Sequence, residues 1–269
     1  MKTMRLDGIG SFAFDDAIGR TITVWYACPE QMNAQTPVLF VMHGVQRNGE
    51  QYRDAWIEGA RAKRALLVVP EFSKEQFPTT EQYNYGDVFD ATGAQHEPSQ
   101  WTFTAIERIF DRVKQSAQLA ATTYHIYGHS AGAQFVHRLA FFLPAARLAR
   151  IVSANAGWYT MPRDDIPFPY GLQRTPITRE QLSRVFAKPL IVLLGEADTN
   201  SNDPNLRNTE EARAQGVNRL ERGKNFYAIA QRAAAAMATP FNWQIAFVPG
   251  IGHHNPGMAK SAIGLLFPY

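Results

Sequence analysis

The sequence predicts an α/β protein: a mostly parallel central sheet with an antiparallel N-terminal edge, helices on both faces and a small lid-like excursion. Three observations lead there. The stretches Thr36 to Met42, Ala65 to Pro70 and Pro189 to Leu194 are almost continuously apolar, as strands buried on both faces must be. Segments with helical spacing alternate with them, and that alternation is the mark of parallel strands joined by crossover helices. Ahead of all of them, Gly10 to Phe14 and Arg20 to Ala27 alternate apolar and polar residues around Asp15-Asp16 and Gly19, which reads as a hairpin.

In chain order, Thr36 to Met42 is the first central strand and runs directly into His43-Gly44-Val45-Gln46. Tyr52 to Lys63 has helical spacing at Trp56, Ala60 and Lys63, and Ala65 to Pro70 is the next strand. Ser73 to Ser99 is irregular and aromatic, with Phe77, Tyr83, Tyr85 and Phe89. A loop of that length in a compact protein is usually functional or disordered, and the aromatic content argues for function. Trp101 to Gln118 is a helix with Ile106, Ile109, Phe110 and Val113 inward and Ser99 as its expected cap. After a strand beginning at Tyr124, a helix from Ala131 carries Phe135, Leu139 and Phe142 about one turn apart and stops at Pro144. Ala149 to Ala154 is a strand. Thr160 to Lys188 is Pro-rich with a short helix near Thr178 to Phe186, and the stretch of about 159–188 is expected to form the lid. Gly195 to Gly216 is a polar loop, Val217 to Met237 a helix, Trp243 to Val248 the last strand, and about Pro256 to Leu266 a closing helix.

With 269 residues, a single α/β domain over 1–269 has enough chain for a full core. The net charge is +3 and no dense Lys/Arg cluster exists, so nucleic acid is not an expected partner. The N-terminus, Met1 to Gly10, lacks the apolar run of a signal peptide, and no run of about 18 apolar residues occurs, so no membrane segment is expected. A cytoplasmic location is the corresponding expectation. The one cysteine, Cys28, cannot form an internal disulfide, and its strand-like setting predicts a buried, inert thiol.

The chemistry is concentrated at Gly128-His129-Ser130-Ala131-Gly132. This Gly-x-Ser-x-Gly pattern lies between a strand and a helix, so Ser130 is expected on a sharp, strained turn with its hydroxyl exposed. A serine hydroxyl is a weak nucleophile until a base takes its proton and an acid orients that base. Strand ends on one edge of such a sheet supply both. Pro189 to Leu194 ends in Gly195-Glu196-Ala197-Asp198, and Trp243 to Val248 ends in Pro249-Gly250-Ile251-Gly252-His253. Asp198 is the expected acid, with Glu196 and Asp203 as alternatives. His253 is the expected base, with His254 as its competitor. The amides of Ala131 and Val45 are the expected oxyanion donors, and losing one should cost about 100- to 1,000-fold in turnover. Substrate contacts are expected from His43, Gly44, Gln46, His129, Trp158, Tyr159, Tyr83 and Tyr85, the aromatic members walling an apolar pocket. His96, His125 and His137 have no ligand-like spacing and read as structural. The run Asp198-x-Asn200-x-Asn202-Asp203 opens like a calcium loop, but Asp203 stands where glycine belongs and Thr209 where glutamate belongs. No metal or cofactor is therefore expected.

Together, His43-Gly44-x-Gln46, Gly128-His129-Ser130-Ala131-Gly132, Gly195-x-x-Asp198 and Gly250-x-Gly252-His253 resemble the α/β-hydrolase superfamily over nearly the whole chain. Within it, His43-Gly44-Val45-Gln46, Asn155-Ala156-Gly157-Trp158-Tyr159 and the Asp198 loop are similar to the poly(3-hydroxyalkanoate) depolymerase-like esterases, near the feruloyl and acetyl esterases. The resemblance implies a serine esterase working through an acyl-enzyme. Such depolymerases often resemble secreted, disulfide-containing enzymes with an added binding domain. One cysteine and the absence of a further domain point instead to a small soluble ester or a short hydroxyalkanoate ester. A peptidase or amidase using the same three side chains is the first alternative; a ligand-binding protein on this fold, without catalysis, is the second. Neither the oligomeric state nor any protein partner is legible.

Overall fold

A computed structural model describes residues 5–268. Eight strands form one sheet: β1 (Ile9–Asp15), β2 (Thr21–Ala27), β3 (Val38–Met42), β4 (Leu66–Glu71), β5 (Tyr124–His129), β6 (Leu148–Ala154), β7 (Leu190–Gly195) and β8 (Gln244–Val248). Their spatial order is β1-β2-β4-β3-β5-β6-β7-β8. β1 pairs antiparallel with β2, and β2 antiparallel with β4. From β4 to β8 every pairing is parallel. This is the predicted α/β-hydrolase architecture with its antiparallel N-terminal edge.

Helices cover both faces: α1 (Gly49–Ala62), α2 (Thr102–Ala117), α3 (Ala131–Phe142), α4 (Arg179–Phe186), α5 (Glu210–Ala214), α6 (Arg219–Ala236) and α7 (Asn255–Leu266). β3 shows how a continuous apolar run serves two cores. Phe40 and Met42 lie in the core that also holds Phe135, Leu139 and Phe226 of α3 and α6, while Leu39 and Val41 lie in the core that holds Trp56 of α1 and Met258 of α7. Side chains alternate across a strand, so both faces must be apolar when helices cover both.

Several boundaries differ from the sequence reading, each for a local reason. α1 begins at Gly49, ahead of Tyr52, because the Glu71 carboxylate accepts the Gly49 N–H at 2.8 Å. Ser99 does not cap α2: it lies in a 3-10 turn, Pro98–Gln100, and Trp101 occupies the cap without a side-chain bond. The polar loop after β7 contains α5, whose first turn is closed by the Thr209 hydroxyl accepting from Ala212 N–H. α6 begins at Arg219 because Asn218 accepts the Glu221 N–H at 2.9 Å. Residues 73–99 are irregular, but Phe77 and Tyr83 are fully buried, so the aromatic loop is packed into the core. Cys28 is buried and its thiol is pushed up to about 11, first by desolvation and then by Asp7. Among the described residues no helix is long and apolar enough to cross a membrane.

Candidate active site

Ser130 sits between β5 and α3 with φ 57° and ψ −114°, a strained conformation for a residue with a side chain. The flanking glycines explain how the chain reaches it. A Cβ on Gly128 would lie 2.1 Å from the Gly132 carbonyl oxygen, and one on Gly132 would lie 2.1 Å from the Met42 oxygen. The start of α3 is thus pressed against both its own strand and the end of β3, leaving the Ser130 hydroxyl at the rim.

The loops after β7 and β8 meet it there. His253 places Nε2 3.0 Å from the Ser130 Oγ and Nδ1 2.8 Å from the Asp198 Oδ2. With the proton on Nδ1, the imidazole donates to the carboxylate and accepts from the hydroxyl. Asp198 is 3 % exposed, whereas the His253 side chain is 23 % exposed, so the carboxylate is enclosed and the imidazole opens onto a cleft. The alternatives are occupied elsewhere. Glu196 faces solvent. Asp203 is bound by Arg219 at 2.7 Å, and His254 Nδ1 accepts the Gly257 N–H at the start of α7.

Two backbone amides complete the arrangement. Ala131 N–H is the first of α3 and, like any N-terminal helical amide, has no partner within the helix. Val45 N–H makes no hydrogen bond to any described residue. Its neighbour Gly44 lies close enough that a Cβ there would be 3.8 Å from the Ser130 Cβ. The cleft beside them, about 260 Å3, is lined by Gly44, Val45, Gln46, Asn48, Gln51, Tyr52, Ala55, His129, Ser130, Asn205 and residues 253–256. None of its lining residues comes from 159–188.

Of the expected substrate contacts, Gly44, Gln46 and His129 line this cleft and the other five do not. His43 is fully buried beneath the loop: Nε2 accepts the Phe72 N–H at 3.0 Å, and burial drives its pKa down to about 3. Tyr83 stacks on His43 at 4.7 Å and donates to its carbonyl at 2.7 Å. Tyr159 stacks on Phe226 at 4.4 Å in the core. Tyr85 and Trp158 pack edge to face, with the Arg138 guanidinium over both rings. Large rings gain most by full burial, and a buried arginine without a carboxylate gains from their π faces, so these side chains were drawn away from the cleft. Among the described residues no group of three or more His, Cys, Asp or Glu is placed to hold a metal ion.

Three further residues support the site. Tyr52 hydrogen-bonds His129 Nδ1 at 3.0 Å, and the His129 ring lies 4.6 Å from that of His253. Burial, then the nearby His253, keeps His129 far below its ordinary pKa and therefore neutral. Arg219 reaches Asp198 at 3.4 Å. Asn155, at the end of β6 with φ 49°, accepts the Gly195 N–H at 2.8 Å and donates to the Gly252 carbonyl at 3.1 Å. It ties the acid loop to the histidine loop. In the sequence, Asn155 opens the Asn155-Ala156-Gly157-Trp158-Tyr159 motif and directly follows a buried strand, where asparagine tolerates a left-handed conformation.

No protein-family model and no curated protein sequence matches the chain. Solved structures do. Poly(aspartic acid) hydrolase-1 from Sphingomonas sp. KT-1 is 43 % identical with a TM-score of 0.95, over 97 % of this chain and 98 % of that one. LpqC, a poly(3-hydroxybutyrate) depolymerase from Bordetella parapertussis, is 36 % identical with a TM-score of 0.93, over 98 % and 91 %. The S-formylglutathione hydrolase FrmB from Staphylococcus aureus, at 14 % identity and a TM-score of 0.61 over 96 % and 97 %, shares the fold.

Proposed function

We propose that this chain, which belongs to the depolymerase-like serine hydrolases of the α/β-hydrolase superfamily, cleaves carboxylic esters through an acyl-enzyme on Ser130. The observation that carries this reading is the unbroken hydrogen-bonded path from Ser130 through His253 to Asp198. Ser130 attacks the ester carbonyl while His253 Nε2 takes its proton. Asp198 holds the Nδ1 tautomer and stabilises the imidazolium. The carbonyl oxygen, now an oxyanion, turns toward Val45 and Ala131 N–H. The tetrahedral intermediate collapses, the alcohol leaves with the proton from His253, and water repeats the sequence to release the acid.

The lining of the cleft supports an uncharged substrate. Gln46, Asn48, Gln51, Asn205 and Asn255 present carboxamides, Val45, Ala55 and Pro256 present apolar surface, and no Lys, Arg, Asp or Glu takes part. Carboxamides can donate to ester carbonyls without demanding a charge. A small ester, or a short hydroxyalkanoate with repeated carbonyls, suits such walls.

A second reading is amide hydrolysis by the same groups, favoured by the identity to poly(aspartic acid) hydrolase-1. The test sets p-nitrophenyl esters and short 3-hydroxybutyrate oligomers beside poly(aspartate), for wild type and Ser130→Ala. Ester turnover that falls at least about 1,000-fold in the variant is expected. Equal activity in both proteins would remove Ser130 from its role, and turnover of poly(aspartate) alone would replace the ester reading with the amide one.

A further inference from the structure

The path from Ser130 does not stop at Asp198. Arg219, the first residue of α6, is 1 % exposed, and its Nη1 lies 3.4 Å from the Asp198 Oδ1 and 2.7 Å from the Asp203 Oδ2. The next residue, Leu220, donates its N–H to the Asp198 carbonyl at 3.3 Å, so the start of α6 is fastened to the acid loop twice. One buried guanidinium therefore serves two carboxylates, and the carboxylate that faces His253 is the more enclosed of the two: 2 % side-chain exposure against 18 %.

We infer that Arg219 and Asp203 act as a positioning pair that fixes the orientation of Asp198 and sets the charge against which His253 takes up its proton. The inference rests on the role of His253 as the base, proposed above. The enclosed Asp198 carboxylate has the Arg219 guanidinium directly beside it. Arg219 alone would overcompensate, leaving a neutral pair and little attraction for an imidazolium. Asp203 restores one net negative charge to the trio. Burial would raise the Asp203 carboxyl, but the Arg219 and Asn205 hydrogen bonds, with His253 nearby, outweigh it and hold the group below its ordinary value. The other charged or titratable groups facing this site are His129 at the end of β5, His254 on the histidine loop, Tyr159 after β6, and Arg222 on α6. Arg222 donates to the Gly157 and Gly216 carbonyls, and these four groups are common to every variant below.

The test is the kcat/KM–pH profile on a p-nitrophenyl ester for Asp203→Asn, Arg219→Met, the double variant and Arg219→Lys. Asp203→Asn removes a negative charge, disfavours the imidazolium, and should move the acid limb down by about half to one pH unit. Arg219→Met removes a positive charge and should move it up by a similar amount. The double variant returns the trio to one net negative charge, and its limb should lie within about 0.3 units of wild type, as should that of Arg219→Lys. Loss of packing alone would lower kcat in every variant without opposed shifts. Opposite shifts that cancel in the double variant support the inference; same-sign shifts or none overturn it. Asp203 is partly exposed and asparagine keeps an acceptor, so its shift decides the matter even if Arg219→Met does not fold. Failure of wild type to label with a fluorophosphonate would overturn the acyl-enzyme reading and this inference with it. Full labelling with unshifted limbs would overturn this inference alone.

Discussion

Replacing Asn155 by alanine should damage stability and turnover through one set of bonds. The Gly195 N–H, fully buried, loses its acceptor, which costs about 1–3 kcal/mol for an unsatisfied buried donor. The Gly252 carbonyl is half-buried and can turn to water, at a cost of about 0.5 kcal/mol. Alanine at φ 49° adds about 1 kcal/mol of backbone strain that asparagine tolerates better. Together these predict about 2.5–4.5 kcal/mol less stability, read from urea unfolding of Asn155→Ala against wild type. The same bonds hold the Asp198 and His253 loops in register. A displacement of the order of 1 Å at reacting groups costs about 100-fold, so kcat on a p-nitrophenyl ester should fall about that much while KM stays within about threefold. Asn155→Asp keeps the acceptor for Gly195 and loses the donor to Gly252, and should fall between the two. If the alanine variant loses the expected stability but keeps kcat within about threefold where it is fully folded, the Asn155 bonds do not set the register of Asp198 and His253.

The buried imidazoles make a prediction about acid. His43, with its pKa held down to about 3, and His129 and His137, both held well below the ordinary value by desolvation, stay neutral in the native state. In the unfolded chain each takes a proton below about pH 6.5, so stability should fall with falling pH, at about 1.4 kcal/mol per unit for each ring. A urea-midpoint series should therefore give a slope steeper than about 2 kcal/mol per unit near pH 5; a flat series refutes it. Cys28, raised to about 11, should react with a disulfide reagent at pH 8 at least about 100-fold more slowly in the folded than in the unfolded protein, followed by absorbance. Gly132→Ala places a methyl 2.1 Å from the Met42 oxygen, a backbone atom that cannot turn aside. It should cost about 4 kcal/mol or more and abolish fluorophosphonate labelling, and a folded, labelling variant would refute the close packing of α3 on β3.

The parts of this protein legible in its sequence are those governed by local periodicity and strand-end chemistry. Continuous apolar runs such as Pro189 to Leu194 mark strands covered on both faces wherever they occur, because the polar alternative is excluded on either side. Ser130, Asp198 and His253 each follow a recognisable strand, and parallel strands deliver their ends to one edge. The packing of the aromatic residues is not legible in this way. Nothing local distinguishes a tyrosine that walls a cleft from one that fills a core. Tyr83 was decided by His43 and Phe135, and Trp158 by Arg138 and Tyr170, all distant along the chain.

Asn155 shows what strand order adds. In the sheet, β6 lies between β5, which leads into Ser130, and β7, which leads to Asp198, with β8 and the His253 loop beyond. The first residue past β6 is therefore flanked by the Ser130 turn on one side and the Asp198 loop on the other. A side chain there with both a donor and an acceptor can reach two of the three converging loops, and Asn155 does so with each half of its amide. Its neighbours agree: Ser130 N–H donates to Ala154, the last residue of β6, and Asn155 N–H donates to Leu193 of β7. The three side chains at the rim are thus registered through a fourth strand that contributes none of them. Substitutions at the end of β6 should consequently act on kcat more than on KM.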